Sequence, residues 1–170
     1  VDNYTVNFAI APRLNATGRL SHGLDSLRLL LTKNQEKAEE LARKLGVANK
    51  DRQDLMWQQL NHARSKLRQI KDKILIVYDE SYHPGVIGLI AGKLTEEFYR
   101  PSIVLSVKGG VAKASARSIA GFDVIAAIRQ TQDLLIEAGG HPMPAGFSIE
   151  VNKIEAMAEK LKLIAAESIN

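Results

Sequence analysis

Apolar residues recur every three or four positions through Leu24, Leu27, Leu30 and Leu31, the spacing of a helix with one apolar stripe. Asp25 or Ser26 is the candidate cap, because a short side-chain oxygen accepts from an orphan N–H of the first turn. A second helical pattern opens at Asn34 and passes through Ala38, Leu41, Ala42 and Leu45 to Gly46, which has no Cβ to oppose a left-handed stop. The two predict a helical hairpin. A third pattern runs from Lys50 to Asp72 along a seam of Leu55, Met56, Leu60, Ala63, Leu67 and Ile70. That helix would be roughly 35 Å long, enough to connect two domains. Its C-terminal half carries Arg64, Lys66, Arg68, Lys71 and Lys73, either a solvated face or a contact for a nucleic-acid backbone.

From Ile74 the period changes. Ile74 to Tyr78 is a continuous apolar run rich in β-branched residues, as in a strand covered on both faces. A helical pattern follows through Val86, Ile87, Leu89, Ile90, Ala91 and Leu94, then a second apolar run from Ile103 to Val107. Strand, helix and strand in that order predict a crossover and parallel pairing. Lys108-Gly109-Gly110 reads as a turn into a strand carrying Ser115 and Arg117, and Asp123 caps a helix through Leu134 and Leu135 that Gly139 and Gly140 end. Residues 145–151 alternate as a strand, and Asn152 with Glu155 has the spacing of a capping box for a last helix. The predicted fold class is α/β: a helical region over 1–72 with a long connecting helix, then a small α/β domain over 73–170 with a mixed sheet flanked by helices.

Composition narrows the partners. With 170 residues the chain is long enough to bury a core, and 45% hydrophobic with 25% charged residues is ordinary for a globular protein. The absence of cysteine excludes disulfides and thiolate metal sites. No run approaches the roughly 20 apolar residues of a membrane span. A net charge of +4 mildly favours an anionic partner.

Three segments carry candidate chemistry. Gly139-Gly140-His141 lets backbone N–H groups approach a ligand where a Cβ would block them, and adds an imidazole donor. Ser115 and Arg117, two apart on a strand, project side by side as a hydroxyl and a planar fork of donors suited to phosphate. Pro12 to Leu20 is rich in Pro, Asn and Gly and is read as a loop presenting Arg13, Asn15 and Arg19. Each segment also has a plain structural reading: a helix stop, a solvated strand and a charged loop. His83-Pro84-Gly85 is better explained as a structural turn than as catalytic. His22, His62, His83 and His141 are the four histidines, and none has an acidic or histidine partner at metal-ligand spacing. No metal ligand is assigned.

Taken in order, the run at 12–20, His83-Pro84-Gly85-Val86-Ile87-Gly88, Arg100-Pro101, Ser115-Ala116-Arg117-Ser118-Ile119, Gly121-Phe122 and Gly139-Gly140-His141 resembles the C-terminal half of the catalytic core of the RecJ family. These are single-stranded-DNA-specific exonucleases of the DHH phosphoesterase superfamily that work from the 5′ end. The resemblance spans roughly positions 8 to 165. It implies that Ser115 and Arg117 hold the terminal 5′ phosphate and that His141, presented by Gly139 and Gly140, stabilises charge at the scissile phosphate. Arg13, Asn15 and Arg19 would border the substrate channel. It further implies single-stranded DNA as partner, a role in recombination and repair, a cytoplasmic location and a divalent metal, Mn or Mg. The metal ligands would lie in an N-terminal domain with an Asp-His-His motif that this sequence lacks, so the chain reads as an inactive fragment. Its start at Val1 without methionine fits excision from a longer chain. Two departures stand out: Ala114 replaces a common glycine and Pro144 a common small residue. Alternatives are a nanoRNase or cyclic-dinucleotide phosphodiesterase of the same superfamily, against which the long helix weighs, and a non-catalytic nucleic-acid-binding module.

Overall fold

The computed structural model describes residues 2–67 and 71–169. Two compact units divide within the long helix, Val1–Trp57 and Gln58–Asn170.

In the first unit a π-helical stretch, Thr5–Ile10, leads into helix α1, Ala11–Leu20. The segment read as a loop is therefore helical. Pro12 lies two residues beyond the π-helical stretch, its fixed φ suits a helix, and Gly18 is tolerated further along. Helix α2 spans Leu24–Leu31 as expected, but Gly23 is its N-cap and no side chain caps it. Ser26 instead donates to Leu14 O at 2.6 Å and bonds the Thr17 hydroxyl at 3.0 Å, which ties α2 to α1 in a buried contact. Asp25 pairs with Arg28 and Lys44. Asn34 opens helix α3 by accepting from Lys37 N at 2.9 Å, as the sequence suggested.

Helix α3 then continues unbroken from Gln35 to Leu67. The second and third predicted helices are therefore one, because Gly46 does not stop the chain. A single internal glycine costs only about 1 kcal/mol against alanine, and the residues on either side are good helix formers. The expected extension through Arg68 and Ile70 lies outside the described residues, and Asp72 is not helical.

The second unit is built on a five-stranded sheet in the order β1-β2-β3-β5-β4. Strand β1 (Leu75–Asp79) pairs parallel with β2 (Ser102–Lys108) across helix α4 (Ile87–Phe98), as the crossover predicted. Strand β3 (Val111–Arg117) runs antiparallel to β2 and to β5 (Pro144–Glu150), and β4 (Leu135–Gly140) closes the edge antiparallel to β5. Helices α5 (Val124–Arg129) and α6 (Ile154–Ser168) cover one face. There Ile103, Leu105, Ala116, Phe147 and Ile149 pack with Met157 and Leu161. Small residues on β3, Ala112, Ala114 and Ala116, let that layer close tightly.

Two local predictions fail. The helix expected from Asp123 to Leu135 ends at Arg129, where buried Thr131 turns its hydroxyl back to Ile128 O at 2.8 Å. Leu135–Gly140 is a strand, because the exposed flank of β5 offers a ladder of backbone partners that a surface helix would forgo. Asn152 and Glu155 form no capping box. Lys153 is the N-cap without a side-chain bond, and the Glu155 carboxylate accepts from the Tyr78 hydroxyl at 2.5 Å instead. Asp123 does cap α5, accepting from Ala126 N at 3.0 Å.

The last turns of α3 belong to this unit through specific bonds. Arg64 donates twice to the Glu97 carboxylate, at 2.9 and 2.7 Å, and Lys66 donates to Asp79 at 2.5 Å. Lys66, with Ser81, holds the Asp79 carboxyl well below the usual carboxylate range. These two basic residues are structural.

Candidate functional site

Along β3 the side chains alternate. Ala112, Ala114 and Ala116 point into the α5/α6 core, so Lys113, Ser115 and Arg117 share the opposite face. Helix α4 covers that face over β2 and the adjoining part of β3, where Val104 is buried. Over β5 and β4 the face opens into a cleft of about 380 Å³ lined by Lys113, Glu137, Gly139, Gly146 and Ser148.

Gly88, in the first turn of α4, meets β3 at the border between covered and open face. A Cβ built on Gly88 would lie 2.9 Å from Ser115 Oγ and 3.2 Å from Arg117 Nη2. A side chain at this position would have to displace the Ser115 hydroxyl and the guanidinium. The Arg117 guanidinium folds back along its own strand, Nη1 donating to Ser115 Oγ at 3.2 Å and to Ala116 O at 2.8 Å. The first turn of α4 contains no acidic residue and no side chain caps it, so its positive dipole end adds to the guanidinium. A hydroxyl, a guanidinium and a helix start converge at one point.

The sheet register extends this point sideways. Ser115 stands opposite Gly146, and Gly146 opposite Gly139, so two bare glycines continue the row from the hydroxyl to the sheet edge. In the neighbouring row Lys113 faces Ser148, which donates to Glu137 at 2.9 Å. In the other, Arg117 faces Pro144.

His141 follows at the tip of the β4–β5 hairpin. Gly140 has φ +146°, and a Cβ there would fall 2.5 Å from Ala145 Cα and 2.6 Å from Pro144 O. Glycine is obligatory at that position. His141 N donates to Pro144 O at 2.8 Å to close the hairpin, so the departure at Pro144 is absorbed at the start of a strand, through its carbonyl. Val124 N holds Pro142 O at 3.1 Å and Ser118 N holds Met143 O at 2.9 Å. The loop is thus fixed from α5 and from the end of β3, and the His141 side chain is exposed. Strands lie about 4.8 Å apart, which puts His141 roughly 10 Å across the sheet from the Arg117 backbone.

The sheet therefore brings together Ser115, Arg117, Gly139, Gly140 and His141. Arg13, Asn15 and Arg19 are exposed on α1, in the first unit. Asn15 and Arg19 share a helix face one turn apart, while Arg13 donates back to Ala9 O at 2.5 Å. His83 is a turn residue: its Nδ1 accepts from Gly85 N at 3.0 Å and its backbone N–H donates to Gln59 Oε1 at 3.0 Å. Sequence reasoning missed Gly88, Lys113 and Gly146. Lys113 was findable from the period-two alternation of β3, whereas the glycines needed the register and the helix placement.

Among the described residues no group of three or more His, Cys, Asp or Glu could hold a metal ion, so no step is assigned to a metal held by this chain. Among them, no helix is long and apolar enough to cross a membrane.

The chain is 36% identical over 169 residues to the single-stranded-DNA-specific exonuclease RecJ of Bacillus subtilis, covering 97% of this chain and 22% of that protein. Crystal structures of RecJ from Thermus thermophilus, in complex with Mg2+ and with Mn2+, superpose with TM-scores of 0.86 and 0.87 at 34% identity. They match 96% of this chain, which spans only 26% and 24% of theirs. The chain thus corresponds to about a quarter of these relatives. Residues 71–167, more than half of the chain and including every strand of the sheet, match the DHHA1 domain, and the chain belongs to the DHHA1 domain family.

Proposed function

We propose that this chain is the substrate-binding part of a metal-dependent exonuclease that degrades single-stranded DNA from its 5′ end. In this reading residues 1–72 complete the metal domain and link it to the substrate domain at 73–170. The observation that carries it is the meeting of Gly88 with Ser115 and Arg117. A terminal phosphate has more free oxygens and more charge than a bridging phosphodiester. It therefore gains most from a guanidinium fork, a hydroxyl and a helix start aimed at one point.

With the terminal phosphate at Ser115 and Arg117, the bare row of Gly146 and Gly139 leaves room for the first sugar. His141, on its fixed loop, donates to an oxygen of the scissile phosphate as charge builds there. Arg13, Asn15 and Arg19, in the first unit, supply further donors to the DNA. The divalent ion, Mg or Mn, belongs to a domain outside this chain, whose own residues bind and orient the substrate. The chain alone binds DNA weakly without cutting it, and the complete enzyme acts in the cytoplasm in recombination and repair.

The test is fluorescence anisotropy with 5′-phosphorylated and 5′-hydroxyl single-stranded oligonucleotides. The parent is expected to prefer the phosphorylated end, and Arg117→Ala to lose the preference. Equal binding of both ends by the parent would overturn the clamp, and metal-dependent cleavage by the pure chain would overturn the division of labour.

A further inference from the structure

The open face of the sheet carries two adjacent rows that differ in kind. In one, Ser115, Gly146 and Gly139 stand opposite one another, and past the Ser115 hydroxyl no side chain rises. In the next, Lys113, Ser148 and Glu137 stand opposite one another. Every member of the two rows except Ser115 lines the cleft of about 380 Å³. Residues two apart on a strand are separated by about 7 Å, so the cleft starts one row along from the hydroxyl.

The polar row does not satisfy itself. Opposite charges on neighbouring strands of a solvated sheet stabilise it by pairing. Here Lys113 and Glu137 are two strands apart, about 10 Å, with β5 between them. Ser148 takes the carboxylate instead: it is 7% exposed, and its hydroxyl donates to Glu137 Oε1 at 2.9 Å. That bond holds Glu137 at one side of the cleft, and a carboxylate has lone pairs left to accept more. Lys113 is exposed and has no ion-pair or hydrogen-bond partner among the described residues. One side of the cleft accepts and the other donates.

A phosphate does not fit this row, because at Glu137 it would face a like charge. A nucleobase does. Each of the four bases carries both an N–H donor and a carbonyl or ring-nitrogen acceptor on its edges, so each can give a proton to Glu137 and accept one from Lys113.

We propose that the cleft between Lys113 and Glu137 receives the first nucleobase of the strand whose terminal phosphate is held by Ser115 and Arg117. The sugar crosses the bare glycine row, and the base edge lies over Ser148 between the two charges. Long, flexible charged side chains meet all four bases, so the site grips the end of a strand without selecting its sequence. The position of the base rests on the terminal-phosphate reading above.

The test measures anisotropy of single-stranded oligonucleotides with a normal or an abasic first residue, each with a 5′ phosphate or a 5′ hydroxyl. The proteins are the intact chain, Lys113→Ala and Glu137→Ala, with urea unfolding to confirm that each is folded. The parent should bind the abasic 5′-phosphorylated end roughly tenfold more weakly than the normal one. That ratio should fall towards one in both variants. A merely electrostatic role would change binding of normal and abasic ends equally and leave the ratio intact, which would overturn the proposal. Equal binding of normal and abasic ends by the parent, with its preference for a 5′ phosphate retained, would also overturn it and leave the phosphate clamp standing. An abasic penalty that both variants lose, in a parent indifferent to the 5′ phosphate, would keep the base site and sink the clamp.

Discussion

Replacing Gly88 with alanine separates folding from ligand binding. The added methyl carbon would lie 2.9 Å from Ser115 Oγ and 3.2 Å from Arg117 Nη2, so the hydroxyl must give way by about half an ångström to reach ordinary contact. Both clashing atoms are ends of side chains, and a serine rotamer change with a swing of the guanidinium relieves the overlap. Alanine also gains up to about 1 kcal/mol over glycine inside a helix, which offsets the crowding. The stability of Gly88→Ala should therefore stay within about 1 kcal/mol of the parent. The atoms that move are the ones proposed to hold the phosphate. A hydrogen bond to a charged group is worth about 1.5–3 kcal/mol, so losing one weakens binding of the 5′-phosphorylated end by roughly 10- to 150-fold. Anisotropy at fixed salt, with urea unfolding of the same samples, reads both quantities. If Gly88→Ala keeps the parent's preference for a 5′ phosphate while Ser115→Ala and Arg117→Ala lose it, the close approach has no part in the clamp.

Other consequences concern the hairpin and the core. Gly140→Ala puts a carbon 2.5 Å from backbone at φ +146° and should destabilise the hairpin by about 2 kcal/mol or more; unchanged amide exchange through β4 would contradict this. Asp123→Ala removes the cap of α5 and should cost about 1 kcal/mol. It should also speed amide exchange at Val124, whose N–H holds the loop bearing His141. Tyr82 is buried with its hydroxyl unpartnered, so Tyr82→Phe should be neutral or stabilise by up to about 1 kcal/mol in urea unfolding. Burial, then the Asp79 charge, push that phenol up to about 12. An unfolded tyrosine ionises near about 10. The neutral native phenol therefore contributes stability that is full below pH ~10 and lost as pH rises through ~12, and the parent should lose more than Tyr82→Phe in that window. Parallel curves for the two proteins would refute the assignment.

Periodicity was enough where one force dominates. The unbroken apolar runs at 74–78 and 103–107 are strands because both their faces are covered, and the helix between them forces parallel pairing. The alternation at Ser115 and Arg117 placed both side chains on one face before any coordinates, and Asp123 announced its helix by cap chemistry alone. Asn152 offered the same kind of signal and failed, because Tyr78, distant in sequence, took the Glu155 carboxylate. Gly46 and the pair Gly139-Gly140 show the limit of reading glycine as a stop: α3 runs through the first, and the pair became strand because β5 lay unpaired beside it. Residue order thus determined which groups are available: a guanidinium, a hydroxyl, an imidazole and the glycines around them. Only the tertiary structure decided that Gly88 is the glycine that meets Ser115 and Arg117, and that Ser26 meets Leu14 and Thr17 instead of capping its own helix. Those are contacts between elements, set by sheet register and helix approach, to which local spacing is blind.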